Sequence, residues 1–128
     1  MRLLRWTILP LLACCAASAS AYDPIVLKRG WERVDFTRSG PCEAEAGTNG
    51  RFYILAVYGM EPGERAGLTL TNGDMRPIER SVTADSEGVW TDYYIPFRWG
   101  REGGTVQATI AGASCAVALH FDWSRVRG

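Results

Sequence analysis

Apolar and polar residues alternate with a period of two along most of the chain beyond residue 40. Residues 51–58 form the most apolar run, rich in β-branched and aromatic side chains, and they predict a strand buried on both faces. Shorter alternating runs predict strands at 42–46, 66–71, 78–83, 89–97, 105–110 and 115–122, with weaker candidates at 25–28 and 31–36. Cys115 falls on the apolar face of the last run, so it should face the core.

Turn signals separate these runs. Asn49-Gly50 and Asn72-Gly73 predict tight type I′ hairpins, because this pair tolerates the positive φ angles of that turn. Residues 61–64, 85–88 and 100–104 supply further turns, and no stretch shows an uninterrupted helical stripe. About seven or eight short strands without intervening helices predict an all-β fold, either an antiparallel two-sheet sandwich or a small barrel.

Several of these turns and strands resemble those of bacterial immunoglobulin-like domains. Residues 59–64 read GMEPGE and lead into an alternating strand, which is similar to the G-x-x-P-G-E pattern of that family. Residues 83–90 read TADSEGVW and resemble its T-A-D-x-x-G-x-aromatic turn, and residues 103–110 follow its usual last hairpin. The resemblance covers about residues 51–123 and implies an antiparallel immunoglobulin-like β-sandwich of about seven or eight strands.

The first 21 residues predict a secretory signal peptide. Arg2 and Arg5 precede a short apolar stretch, and small residues dominate up to Ala21, the preferred cleavage position. Residues 11–14 read LLAC, which resembles the lipobox of bacterial lipoproteins, so lipidation at Cys14 is the alternative reading. Either reading places the mature protein in the periplasm or outside the cell, without a transmembrane span.

Residues 22–128 are long enough for a single domain. The full chain has 14 basic and 14 acidic residues, and removal of residues 1–21 takes away only Arg2 and Arg5, which leaves a formal charge of −2. This balance argues against general binding to nucleic acid or to an anionic membrane, since both usually need an excess of basic residues.

Two cysteines remain after cleavage, Cys42 and Cys115. In an exported chain such a pair predicts one structural disulfide. The closed loop of about 70 residues would stabilise the fold by roughly 4 kcal/mol in the chain-entropy model. Neither cysteine belongs to the C-x-x-C pattern of redox or metal sites.

Residues 90–101 contain the most suggestive cluster for binding. Trp90 and Tyr94 share one face of the predicted strand 89–97, and Arg98, Trp99 and Arg101 follow at its loop end. Exposed aromatic rings flanked by hydrogen-bonding side chains stack on sugars or anchor a protein partner. These five residues are the candidate ligand-binding site, although the same aromatic rings would also suit a sandwich core.

The sequence contains few of the residues and motifs that catalysis usually requires. His120 is the sole histidine and is expected on a solvent-facing side of its strand, and no nucleophile-elbow pattern accompanies it. Glutamates such as Glu43 and Glu45 are interpreted as solvated side chains rather than a catalytic pair. Asp85 is expected to form an Asx turn rather than to share a calcium site with Asp74. We therefore predict no enzyme activity, no metal and no cofactor.

Together these features predict a small exported, non-catalytic binding or structural module of the bacterial cell envelope. Its partner would be a protein or a glycan, contacted through loops or through the aromatic strand. The alternative is a secreted inhibitor of a protease or of a lysozyme-like hydrolase, with residues 100–104 or 60–64 as the inhibitory loop.

Overall fold

A computed structural model describes residues 29–125, and these residues form an all-β sandwich without any helix. The predicted signal peptide at 1–21, Cys14 and the weak strand candidate at 25–28 lie outside the described residues. The strands are β1 (Glu32–Ser39), β2 (Cys42–Thr48), β3 (Tyr53–Tyr58), β4 (Arg65–Asn72), β5 (Ile78–Thr83), β6 (Trp90–Tyr94), β7 (Gly103–Gly112) and β8 (Ala116–Ser124).

The eight strands form two antiparallel sheets of four strands each. Sheet 1 has the order β1-β2-β3-β6 and sheet 2 has the order β5-β4-β7-β8, so the chain changes sheet after β3, β5 and β6. The backbone N–H of His120 in β8 donates to Asp35 of β1 at 2.8 Å, and Arg80 of β5 pairs with Asp92 of β6. These contacts link the edges of the two sheets on both sides of the sandwich.

Alternation along the strands builds the core as the sequence predicts. The inward residues are buried in β2, β4, β7 and β8, because every second side chain of a strand faces the same side. Tyr53 of sheet 1 stacks on Phe121 of sheet 2, with ring centroids 4.8 Å apart. All six residues of β3 are buried, which confirms the predicted two-sided burial of the central apolar run.

The predicted cysteine pair lies at disulfide-bonding distance. Cys42 begins β2 in sheet 1, and Cys115 precedes β8 in sheet 2, with Cα atoms 5.7 Å apart. Both residues are buried in the core. The bond therefore joins the two layers of the sandwich.

The type I′ assignment of the two Asn-Gly turns is wrong. Every described residue with positive φ is a glycine, so neither Asn49 nor Asn72 adopts the conformation that type I′ requires. The first loop is shaped by the Asn49 side chain, which accepts hydrogen bonds from the amides of Arg51 and Phe52, both at 2.9 Å. Since these two residues are held in the loop, β3 begins at Tyr53 and not at Arg51.

The expectation that Glu45 is solvated is also wrong. Its carboxylate lies on the outer face of sheet 1 but is only 1% exposed. Tyr58 donates its hydroxyl to this carboxylate at 2.6 Å, and Arg33 pairs with it at 3.0 Å. The Arg33 guanidinium also lies over the Phe36 ring. Side chains of β1 and β3 therefore cover Glu45, although the alternation along β2 predicts that this position is exposed.

Candidate functional site

Trp90 and Tyr94 do not belong to an exposed aromatic face. Trp90 pairs with Val57 and Tyr94 pairs with Tyr53 on the inner side of sheet 1. Trp90 is buried, and Tyr94 is half-buried against the core. The structure therefore assigns both to the sandwich core, and the accessible part of the predicted site is Arg98, Trp99 and Arg101.

The loop at residues 95–102 begins where strand pairing stops. Pro96 has no N–H to donate, and its carbonyl oxygen accepts from the Asn72 side chain at 2.8 Å. Strand β6 therefore ends at Tyr94, earlier than the predicted residue 97. Phe97 then packs edge-on against Trp123, with centroids 5.6 Å apart, which anchors the start of the loop on the core.

Asn72 is the polar centre of this anchor. Its amide donates to the Tyr94 hydroxyl at 3.2 Å as well as to Pro96, and its carbonyl oxygen accepts from the Trp123 indole N–H at 2.9 Å. The residue is 2% exposed, and its bonds to Pro96 and Trp123 are buried away from water. The buried Asn72 side chain thus connects the end of β4 to the start of the 95–102 loop and to Trp123 of β8.

Asp74 holds the two loop arginines in place. Arg98 Nη1 lies 2.7 Å from one carboxylate oxygen, and Arg101 Nη2 lies 3.2 Å from the other. The hydrogen bond from Arg98, followed by the charge of Arg101, lowers the pKa of Asp74 below its ordinary value. The carboxylate therefore stays ionised at neutral pH, and one negative charge is shared between two positive ones.

Arg125 braces the same loop from the end of β8. Its Nε donates to the Arg101 carbonyl at 2.6 Å, and its Nη2 donates to the Arg98 carbonyl. The turn between these two carbonyls is closed by the Arg101 N–H donating to the Arg98 oxygen at 3.1 Å. The guanidinium bonds backbone atoms only, so its positive charge has no carboxylate partner among the described residues.

Trp99 sits at the tip of this braced turn. Its side chain is 98% exposed, although the residues on both sides of it are tied down. A ligand that covers this ring buries a large apolar surface. Because the loop is already fixed before binding, little of its conformational entropy is lost when the ligand binds. This is the accessible centre of the candidate site.

The loops at the two ends of the sandwich carry opposite charge. We call the end with Trp99 the arginine end, and its described basic residues are Arg29, Arg51, Arg76, Arg98, Arg101 and Arg125. Its only described acidic loop residues are Asp74 and Glu102. The loops at the other end, the acidic end, contain no described Lys or Arg and carry Glu61, Glu64, Asp85 and Glu87.

The sequence pattern does not mark three residues of this site. It predicts Arg51 in a strand and Asn72 in a turn, and it gives no signal for Arg125. The Asn49-Gly50 pair before Arg51 was a usable signal, because the loop that it forms presents Arg51 at the same end as residues 95–102. No local pattern marks Arg125, whose role depends on β8 ending beside that loop.

The other residues considered for chemistry lie apart from this site. His120 is exposed, its nearest carboxylate is Asp35 at 3.9 Å, and Asp122 instead accepts from Thr105 at 2.7 Å. Asp85 forms the expected Asx turn by accepting from the amides of Glu87 and Val89. Within residues 29–125, no group of three His, Cys, Asp or Glu side chains is arranged to hold a metal ion.

Comparisons of the chain with family models, with curated proteins and with solved structures found no significant match. The described part of the chain also contains no helix with the length and apolar character needed to cross a membrane.

Proposed function

We propose that this chain is a small exported, non-catalytic binding module of the bacterial cell envelope. The observation that carries the proposal is the exposed Trp99 on a loop fixed by Asp74, Asn72 and Arg125. A partner, either an envelope protein or a glycan, covers this ring and contacts Arg98 and Arg101 beside it. Trp and Arg are the residues most often found at the energetic centre of interfaces.

Strand order supports an immunoglobulin-like fold for the module. The neighbours β2-β3-β6 correspond to strands A, B and E of that sandwich, and β4-β7-β8 correspond to strands C, F and G. In this assignment β1 is an additional N-terminal strand, and β5 is the extra strand beside C. The loop with Trp99 then connects strands E and F.

The leader pattern of residues 1–21 supports export to the periplasm or the exterior. A cysteine pair at bonding distance is compatible with an oxidising compartment. The intact mass of the exported protein tests this part of the proposal. A mass that begins at Tyr22 supports cleavage after Ala21, a lipid-modified Cys14 supports the alternative anchor, and a retained leader contradicts export.

Capture from an envelope extract tests the binding role. Immobilised wild-type protein is compared with Trp99→Ala and with Tyr93→Ala, which removes an exposed aromatic ring from the outer face of sheet 1. Trp99→Ala should weaken binding of the captured species about tenfold or more, and Tyr93→Ala should leave it unchanged. Equal capture by wild type and Trp99→Ala contradicts the proposed site.

The fixed loop also favours a second candidate, a secreted hydrolase inhibitor. A rigid exposed loop fills an enzyme cleft with little loss of conformational entropy. In the predicted inhibitory loops, Met60 is buried but residues 61–63 are exposed, and Gly103 and Gly104 lie in β7. Trp99, which directly precedes residue 100, has the most exposed large side chain beside these loops and would be the inserted residue. Inhibition of a protease or lysozyme at stoichiometric concentration, lost in Trp99→Ala, would favour the inhibitor over the envelope module.

A further inference from the structure

Two adjoining clefts open at the arginine end. The first has a volume of about 410 Å³ and is lined by Gly50, Arg51, Phe97 and Arg125. The second, of about 340 Å³, is lined by Trp99, Gly100, Arg101 and Glu102, and again by Arg125. Because Arg125 borders both, the clefts adjoin, and we call the line from Arg51 past Arg125 to Trp99 the path.

Arg51 and Arg125 bring uncompensated positive charge to the first cleft. The Arg51 side chain makes no ion pair with any described residue, and Arg125 bonds two backbone carbonyls. A guanidinium has five N–H donors, so both residues keep free donors for a ligand. Arg98 and Arg101 differ, since Asp74 already shares its charge with them.

Phe97 provides the apolar surface between these two arginines. Its ring is half-buried because its edge contact with Trp123 holds it on the core. A concave site with an apolar floor and a few convergent polar groups is the usual form of a small-ligand site. Here the polar groups are guanidinium ions, which match the planar, bidentate geometry of carboxylate and phosphate.

From this arrangement we infer that the arginine end binds an acidic saccharide chain. Carboxylate or phosphate groups of the chain pair with Arg51 and Arg125 above Phe97, and a sugar ring stacks on Trp99. This inference rests on the proposed binding function and names the chemical class of its ligand. Acidic groups and flat ring faces alternate along such a chain, as guanidinium ions and aromatic rings alternate along the path.

The shape of the arginine end favours a single chain over an anionic membrane. Arg51 and Arg125 line a concave cleft, which a flexible polyanion can enter and a flat membrane surface cannot. Net charge provides no general attraction to anions, since the exported protein carries a formal charge of −2 once Arg2 and Arg5 are removed from the 14 basic residues that balance 14 acidic ones. The field between the two ends also orients the approaching chain.

Titration with defined polymers tests the inference. The probes are oligogalacturonate, which carries carboxylates, dextran phosphate, which carries phosphates, and unmodified dextran, with the exported protein followed by calorimetry at low and high salt. At least one of the two charged probes should bind, dextran should not, and affinity should fall as salt rises. The charged probe that binds identifies the acidic group.

Three variants locate the site. Arg51→Ala should weaken binding about tenfold, since a hydrogen bond to a charged group contributes about 1.5–3 kcal/mol. Trp99→Ala should weaken binding about fivefold through loss of ring stacking. Arg65→Ala is the matched control, because it removes an exposed arginine from the start of β4 at the other end, and it should leave the affinity unchanged.

Two comparisons can overturn the inference. Equal affinity for oligoglutamate or for vesicles of anionic phospholipid would show that the end binds negative charge without preference for saccharide. Failure of both charged polymers to bind would overturn the inference but leave the binding module intact if Trp99-dependent capture from the envelope persists. If capture from the envelope also did not depend on Trp99, both the saccharide inference and the proposed binding function would be overturned. Thermal unfolding of each variant confirms that it is folded.

Discussion

Asn72 shows how one buried amide can determine the shape of a loop. It ends β4, and its three side-chain hydrogen bonds reach Tyr94, Pro96 and Trp123. These partners belong to β6, the following loop and β8, so a single side chain of β4 contacts three other segments. The loop that presents Trp99 therefore depends on a residue that is distant from it in sequence.

Substitution of Asn72 tests this role. Asn72→Ala leaves the Pro96 carbonyl and the Trp123 indole N–H buried without their partner, which should lower the free energy of unfolding by about 2–4 kcal/mol. Urea denaturation measures the change. Asn49→Ala is the matched control, since Asn49 also precedes a glycine but bonds exposed loop amides, and it should cost about 1 kcal/mol or less. Equal losses in the two variants would contradict the central role of Asn72.

The sequence could not distinguish these two asparagines. Both stand before glycine between two predicted strands, and the local pattern is the same. Asn72 is buried because Trp123 from the last strand reaches it, a contact between residues 51 positions apart. Trp90 and Tyr94 raise the same difficulty, since both faces of β6 carry aromatic rings and only the pairing with β3 selects the inner one.

Strand positions were predictable because their signal is local. The alternation of apolar residues in β4, β7 and β8 identifies both the strands and their inner faces, and the structure confirms them. Even the weak candidate at 31–36 is part of a real strand, β1. The strand ends were less predictable because they depend on side chains from other elements, as at Asn49 and Asn72.

The disulfide links β2 of sheet 1 to the residue just before β8 of sheet 2 and should contribute strongly to stability. Cys42 and Cys115 are separated by 73 positions, so the bond restricts most of the unfolded chain. Cys42→Ala/Cys115→Ala should lower the free energy of unfolding by about 4 kcal/mol, which urea denaturation can measure. The reduced wild-type protein provides the control and should lose a similar amount. A loss below about 1 kcal/mol in both would contradict this contribution.

The contact between residues 59–64 and 113–115 should make stability depend on pH. Ser114 donates its hydroxyl and its backbone N–H to the Glu64 carboxylate, and these bonds lower the pKa of Glu64 below its ordinary value. A lowered pKa in the folded state means that the stabilisation is present above the unfolded pKa of about 4.3. It is lost as pH falls through the lower folded value.

Ser114→Ala tests this pH dependence. The variant should unfold at a lower temperature than wild type at pH 7, and the difference should shrink as the pH is lowered toward 2. Thermal unfolding across this range measures it. Thr105→Ala is the control, because it removes a hydroxyl that donates to the exposed Asp122 instead. A difference that stays constant with pH would exclude the Glu64 carboxylate as its source.

Across the whole molecule, separated charge should matter more than net charge. The loops of one end are dominated by arginine and those of the other end by carboxylates, although the totals of basic and acidic residues are equal in the full chain. A charged surface interacts mainly with the nearest charges, because the field is screened over about 10 Å at 0.1 M salt. The chain from Tyr22 onward should therefore be retained by a sulfonate resin at pH 7 and about 0.1 M salt, despite its negative formal charge.

Two variants of identical net charge separate these effects. Arg51→Glu changes the arginine end, whereas Arg65→Glu makes the same change at the other end of the sandwich, and both side chains are exposed. Arg51→Glu should elute from the sulfonate resin at clearly lower salt than Arg65→Glu, because only the first weakens the surface that faces the resin. Coincident elution would mean that total charge governs adsorption, and the arginine end would then lose its status as a distinct electrostatic surface.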